Sequence, residues 1–326
     1  MKLSAQKQYI HLKEPFRVSF GTLSGLDVIE VAVERDGVIG RGECCPMAIY
    51  DQTPQSTLAE IETLAEGLSG RAISRADLQK MLPARAARNA LDCALWDLEA
   101  KSSGRTVWEL AERAPVEQIS AGISFAIVSP DETAALAERH RGVPRIKLKL
   151  GSAFDLECVR AVRSVLPDTS LFVDVNAGWT LDRLNALAPD LADLGVFMIE
   201  QPLPADQDHL LADYNRAVPL CADESCHDRR DLDRLAGHFD YINIKLDKTG
   251  GLTEALALAD EAQARGFRLM VGCMMGSGLA MAPAYVVASL CEIVDLDVPL
   301  LVRDAAFARV RHDGRALHQF DRDVWG

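Results

Sequence analysis

The chain has 326 residues, 48% of them hydrophobic and 25% charged, enough for a large core and for two domains. A formal net charge of −13 leaves no basic footprint, so neither nucleic acid nor an anionic membrane is an expected partner. The N-terminal MKLSAQKQYIHLKEP has no signal-like apolar run, and no stretch of about 18 apolar residues follows. The eight cysteines show no paired metal spacing, so buried thiols in a reducing cytoplasm are expected rather than a disulfide framework.

The first third reads as α+β. Residues 26–34, LDVIEVAVE, alternate like a half-buried strand; Asp36-Gly37 turns the chain, and Val38 to Glu43 continues as the second arm of a hairpin. Helical patterns occupy about 53–69 and 84–101, the second opening after Pro83 and rich in Ala and Leu. From about residue 119 short β-rich runs alternate with helical stretches: ISAGISF, RIKLKL, SLFVDVN, VFMIEQP, PLCADES, YINIKL, LMVGCMM and EIVDLDV. Eight such units predict an α/β fold with a closed, compact (β/α)8 barrel of the TIM-like kind behind an α+β capping domain. The tail, Ala308 to Phe320, reads as a strand pair around Asp313-Gly314 that rejoins the first domain. The expected division is therefore capping domain 1–115, barrel 116–303 and C-terminal return 304–326.

What ends each barrel run carries the chemistry. Lys147 and Lys149 end the second, Asp174 and Asn176 the third, Glu200 the fourth, Asp223 and Glu224 the fifth, Lys245 the sixth, Asp295 and Asp297 the eighth. Spaced one β/α unit apart, these charges converge on the C-terminal mouth, where such barrels place active sites. Residues i and i+2 of a strand share a face, so each doublet points one way. A lone strand-end Asp is ordinarily a helix cap, and a lone KxK a solvated face. Five consecutive strand ends carrying K, D, E, D, K after apolar runs are different, because buried charges need partners or a metal.

Asp174, Glu200 and Asp223 offer three carboxylates from adjacent strands without His or thiolate, which suits one Mg2+. Lys149 and Lys245 flank that position from opposite sides of the mouth. A carbon acid beside a carboxylate forms a doubly charged enediolate that a metal stabilises. A lysine beside a cation is expected to have a lowered pKa and to act as a base. One lysine on each face is what a racemase or epimerase needs.

The segments IKLKLG, FVDVNAGW, MIEQPLP, CADES and INIKLDKTGGLTEAL together resemble the enolase superfamily, and within it the muconate-lactonizing subgroup, over essentially the whole chain. The likeness is greatest to dipeptide epimerases of the L-Ala-D/L-Glu kind, whose mark is an acidic D-x-D on the eighth strand, here Asp295-Leu296-Asp297. ARNALDCALWDLEAK and the LPAD that follows Glu200 also look like that group.

The resemblance implies an enolase-type barrel and Mg2+-dependent 1,1-proton transfer at the α-carbon of a dipeptide's C-terminal residue. Lys149 and Lys245 are then the acid/base pair, and Asp174, Glu200 and Asp223 the metal ligands. Lys147 lies by the substrate carboxylate, Asp295 and Asp297 hold the α-ammonium, and Asn176 and Glu224 support the ligands from behind. Family members commonly form homo-oligomers.

Two positions depart from the pattern. Members acting on Ala-Glu carry an arginine in the loop resembling Phe16 to Leu26; the aligned residue is Leu23, flanked by Phe20 and Leu26. With the apolar Met47-Ala48-Ile49-Tyr50-Asp51, this predicts an apolar second residue in place of Glu. The other reading has Leu23 merely packing beneath the loop, with specificity set elsewhere; Lys248 or Arg17 could also supply the missing cation. Val298 stands where glycine commonly follows the D-x-D.

The rival reactions of the subgroup are o-succinylbenzoate synthesis, muconate cycloisomerisation and N-acylamino acid racemisation. Their substrates lack an ammonium for Asp295 and Asp297 to hold. Acid-sugar dehydratases usually use a His/Asp pair on later strands, and LMVGCMMGSG has no His. That run also lacks G-x-G-x-x-G spacing, which argues against a dinucleotide. A non-catalytic metal-binding relative would be expected to have lost one of the five acid/base and ligand residues.

Overall fold

The computed structural model describes residues 1–19 and 21–326. Its first layer is an antiparallel sheet of β1 (Lys2–Val18), β2 (Gly21–Arg35) and β3 (Val38–Cys44), joined between β2 and β3 at Asp36-Gly37, where both residues have positive φ. The predicted hairpin is thus β2–β3. The edge strand β1 was not expected: only Ile10, Leu12 and Val18 of its polar sequence are buried, so it gives a weak period-two signal. The helices α1 (Pro54–Leu68) and α3 (Ala86–Ser103) lie at the predicted places, and a short α2 (Arg75–Met81) sits between them. α3 rests directly on β3 because Gly40 and Gly42 have no side chains. A Cβ on either would come within 2.1 Å of a helix carbonyl, Ala94 O or Ala90 O.

After a one-turn α4 (Val107–Leu110), the run ISAGISF divides. β4 (Gln118–Ser120) stays outside the barrel, and β5 (Ile123–Phe125) is its first strand. Then follow β6 (Arg145–Lys149), β7 (Ser170–Asp174), β8 (Val196–Glu200), β9 (Leu220–Ala222), β10 (Tyr241–Ile244), β11 (Arg268–Gly272) and β12 (Ile293–Asp295), all parallel and in sequence order. The first and last strands meet through Gly122 N donating to Val294 O at 3.2 Å, so the predicted eight-stranded barrel is present and closes. Amphipathic helices such as α5 (Pro130–Arg139), α6 (Asp155–Val165) and α7 (Leu181–Asp193) cover it.

The tail makes only a single bridge, His312 with Leu317, about its Asp313-Gly314 turn. Its strand Ala316–His318 pairs with β4 instead. The chain then reaches the first layer: Trp325 is fully buried and donates from Nε1 to Cys93 O at 3.0 Å, and Gly326 N donates to Asp97 Oδ1 at 2.8 Å. All eight cysteines are free thiols, and among the described residues no helix is long and apolar enough to cross a membrane.

Candidate active site

The side chains inside the barrel follow a two-residue step. Phe172, Met198, Cys221 and Ile293 pack together in the lumen, and the next inward positions are Asp174, Glu200, Asp223 and Asp295. An apolar plug therefore fills the lower barrel, and charged groups occupy the layer above it. Register keeps them level, with Lys149 paired to Asp174 and Asp174 to Glu200. Asp174, Glu200 and Asp223 are all fully buried.

Lys147 Nζ lies 2.9 Å from Asp174 Oδ2, 2.8 Å from Glu200 Oε2 and 2.7 Å from Asp295 Oδ2. Lys149 donates to Asp174 Oδ2 at 2.6 Å and to Asn176 Oδ1 at 3.0 Å. Lys245 donates to Asp223 Oδ2 at 2.6 Å. Asn176 Nδ2 donates to Glu224 Oε1 at 3.2 Å. From the first strand Ser124 N donates to Asp297 Oδ2 at 2.7 Å and Ser124 Oγ to Asp295 Oδ1 at 3.2 Å, at the end of the eighth. The lysines, carboxylates and Asn176 singled out at the strand ends thus lie in one layer.

The electrostatics follow from burial. Burial works against the Lys147 ammonium, but Asp174, Asp295 and Glu200 outweigh it and hold its pKa well above the ordinary lysine value. Lys245 shows the same balance, with Asp223 the chief opponent of burial, and its pKa is likewise held well above the ordinary lysine value. Burial, then the Asp174 charge, raise Glu200 to about 8, and burial with Asp223 raises Glu224 to about 7. Burial and the neighbouring Asp295 raise Asp297 to about 6.

The proposed cation substitutes do not face the cleft. Lys248 is buried beneath it, donating to Asp223 Oδ1 at 2.6 Å and Asn243 O at 3.0 Å. Arg17 is exposed, because the strand alternation turns Phe16 and Val18 inward and Arg17 outward. The cap wall of the cleft consists of Phe16, Val18, Leu23, Leu26, Met47, Ile49 and Tyr50; Phe20 lies outside the described residues. Val298 lines the opposite side.

Several participants carried no signal strong enough to single out. Gln201 is fully buried and accepts from Asp223 N at 2.9 Å and Ser225 N at 3.1 Å, fixing the top of β9. It has φ 36°, and Asn176 and Ala177 have φ 45° and 60°, so the turns after Asp174 and Glu200 are strained left-handed backbone. Asn243 Nδ2 donates to Glu200 Oε1 at 2.7 Å. Gly272 makes room for this layer, since a Cβ there would meet Asn243 Oδ1 and Lys245 Cε at 2.9 Å. The doublet step from Lys245 back to Asn243 could have flagged the latter.

Among the described residues no three carboxylate, imidazole or thiol groups converge tightly enough to grip an ion as they stand; the strand-end carboxylates turn to lysines. The donor set nevertheless fits a hard divalent cation. It is all oxygen, and Glu200 Oε2, though 2.8 Å from Lys147 Nζ, receives no directed hydrogen bond. The six carboxylates Asp174, Glu200, Asp223, Glu224, Asp295 and Asp297, if ionised, face the four lysines 147, 149, 245 and 248 and leave two negative charges.

Comparison with known proteins agrees with this architecture. Residues 2–111 match the mandelate racemase / muconate lactonizing enzyme N-terminal domain, and residues 132–306 the enolase C-terminal domain-like family. The chain belongs to the enolase superfamily. Among its relatives, the L-Ala-D/L-Glu epimerase of Escherichia coli (strain K12) is 42% identical over 88% of this chain and 90% of its own length. An N-acetyl-D-glutamate racemase of Pseudoalteromonas sp is 41% identical over 92% and 95%.

An enolase family member from Agrobacterium tumefaciens, described as homologous to dipeptide epimerases and solved with sodium and L-Ala-L-Glu, superposes with TM-score 0.96. It shares 38% identity, over 99% of each chain. The dipeptide epimerase of Cytophaga hutchinsonii, solved with Mg and D-Ala-L-Val, superposes with TM-score 0.89 at 26% identity, over 97% of this chain and 92% of that one.

Proposed function

We propose that the chain is a Mg2+-dependent dipeptide epimerase, an isomerase that inverts the α-carbon of a dipeptide's C-terminal residue through an enediolate. The observation that carries this is the pair of lysines, Lys149 on β6 and Lys245 at the end of β10, placed four strands apart around one layer of carboxylates. One removes the α-proton and the other returns it from the opposite face. Asp174, Glu200 and Asp223 would hold the Mg2+, which supplies charge stabilisation to the enediolate when bound.

Lys147 neutralises the substrate carboxylate side of the cleft. Asp295 and Asp297, fixed by Ser124, hold the α-ammonium. Asn176 and Glu224 brace the Lys149 side. The apolar cap wall around Leu23 favours an apolar second residue, since burying such a side chain contributes about 1.5–3 kcal/mol while an unpaired glutamate carboxylate there is penalised.

One second reading has a specific observation behind it. A 41% identical relative is an N-acetyl-D-glutamate racemase, and an N-acetylated amino acid has no α-ammonium. The two carboxylates at Asp295 and Asp297 favour the dipeptide. The division into cap 1–115, barrel 116–303 and return 304–326 is proposed with this function. So is a cytoplasmic location, which the eight free thiols support. The net charge of −13 supports a small-molecule substrate rather than nucleic acid or membrane as partner, and a homo-oligomer is proposed from the family alone.

The test is a library of dipeptides and N-acetyl amino acids incubated with enzyme and Mg2+ in D2O, read by mass for gain of one deuterium. Labelling of L-Ala-L-Xaa with apolar Xaa above Ala-Glu is expected. Labelling confined to N-acetyl substrates would overturn the dipeptide reading, and preference for Ala-Glu would overturn the role given to Leu23.

A further inference from the structure

The two lysines are held differently. Lys149 has a carboxylate and a neutral acceptor, Asp174 Oδ2 and Asn176 Oδ1, both from the barrel. Lys245 has its carboxylate, Asp223 Oδ2, but among the described residues no neutral partner. The group placed to supply one comes from the cap. Among the described residues six of the seven cap side chains in the cleft wall are apolar, and the seventh, Tyr50, brings a hydroxyl.

Tyr50 is fixed by its own turn and by the barrel. It closes a 3-10 turn, Ala48–Tyr50, in which Tyr50 N donates to Met47 O at 3.0 Å, and Asp51 follows in left-handed conformation. Its ring meets the His227 imidazole edge-on at 5.6 Å, and His227 lies on the loop that leaves Asp223. The charged groups acting on its phenol are Asp223, Lys245, Glu224 and Glu200; burial, the larger influence, keeps it neutral. Tyr50 and Lys245 line the same cleft, Tyr50 from the cap and Lys245 from the end of β10. The Tyr50 hydroxyl engages no hydrogen bond among the described residues, and the same cleft also holds Glu224.

We propose that Tyr50 is a positioning residue for Lys245, the cap's counterpart of what Asn176 is to Lys149. When Lys245 turns from Asp223 toward the substrate α-carbon, its ammonium donates to the phenol oxygen. As the amine, it accepts the phenol hydrogen. The same neutral group therefore aims Nζ in both protonation states. This inference rests on the epimerase reading for its catalytic meaning, but the contact itself does not.

The substitution Tyr50→Phe removes the hydroxyl and leaves the ring against His227. In protein labelled with 15N at lysine Nζ, the resonance lost in Lys245→Ala is expected to shift in Tyr50→Phe, while the one lost in Lys149→Ala stays. Incorporation of solvent deuterium, measured separately from each epimer, assigns the faces. Tyr50→Phe should slow the exchange that Lys245→Ala abolishes about tenfold and the other by no more than about twofold, the effect of one neutral hydrogen bond. Asn176→Gly, which suits the left-handed backbone there, should do the converse. Equal slowing of both faces, no slowing, or an unmoved Lys245 resonance overturns the proposal. If wild-type protein exchanges no dipeptide, the epimerase reading fails by itself, and the Nζ resonance still decides the contact.

Discussion

At the scale of single residues, the cluster separates binding from chemistry. Lys245 touches only Asp223 among the carboxylates, so Lys245→Ala is expected to abolish epimerisation while changing Mg2+ affinity, measured calorimetrically, by less than about tenfold. Asp297 is held by Ser124 N and faces the expected ammonium. Asp297→Asn should raise the KM for dipeptides more than it lowers kcat, and unchanged kinetics would contradict an ammonium clamp. Leu23→Arg restores the cation that glutamate-specific members carry, and should shift kcat/KM toward Ala-Glu by about tenfold or more.

The charged residues were legible in the sequence because strand ends recur at one β/α spacing and side chains alternate along each strand. The roles of Gln201, Asn243 and Tyr50 were not, although all three stand inside segments named in the sequence. The two-residue step from Lys245 reaches Asn243 but names no partner for it, and the role of a polar uncharged side chain appears only when a neighbour from another strand or from the cap is in place.

At the scale of elements, two buried acids join the cap to the barrel. Glu43 at the end of β3 accepts from Ser277 N at 2.6 Å and Ser277 Oγ at 2.7 Å. Asp247 just after β10 accepts from Cys45 N at 3.1 Å and Asn89 Nδ2 at 2.8 Å. Burial raises the Glu43 pKa from 4.5 to about 7 and the Asp247 pKa from 3.8 to about 7. A carboxyl whose folded pKa is raised stabilises the fold fully below its unfolded value, and that contribution is lost as pH rises through the folded one.

Glu43 alone should therefore remove roughly 3 kcal/mol between about pH 4.5 and 7, at ~1.4 kcal/mol per pH unit. Glu43→Gln lacks this term. Its Tm relative to wild type should climb from pH 5 to pH 7 and then level off, and a flat difference across that range would contradict the assignment. The elements themselves were legible where hydrophobic periodicity was strong, as in α1, α3 and the barrel strands. They were not where an edge strand is polar, as in β1, or where one apolar run serves two sheets, as in ISAGISF.

At the scale of the whole molecule, the cap supplies an apolar wall and a hydroxyl, the barrel supplies the charges, and the tail ties them together. Trp325 is fully buried with its indole donating to Cys93 O, so Trp325→Ala should destabilise the protein by about 3–5 kcal/mol in denaturant unfolding. The barrel was readable from the β/α alternation and a return of the tail to the cap was expected, but the contacts of its last residues, DRDVWG, were not legible: they carry no period, and their partners lie more than 200 positions away.

All of this converges on one reaction, two-sided proton transfer at an α-carbon. The direct measurement is proton NMR of L-Ala-L-Leu in D2O with enzyme and Mg2+. The account predicts that the leucine α-proton signal fades while the L-Ala-D-Leu diastereomer grows in carrying deuterium at that carbon, and that a chelator stops both. Exchange without the second diastereomer would mean a one-base enzyme, and persistence of the α-proton for every dipeptide would contradict the assignment of Lys149 and Lys245 as the acid/base pair.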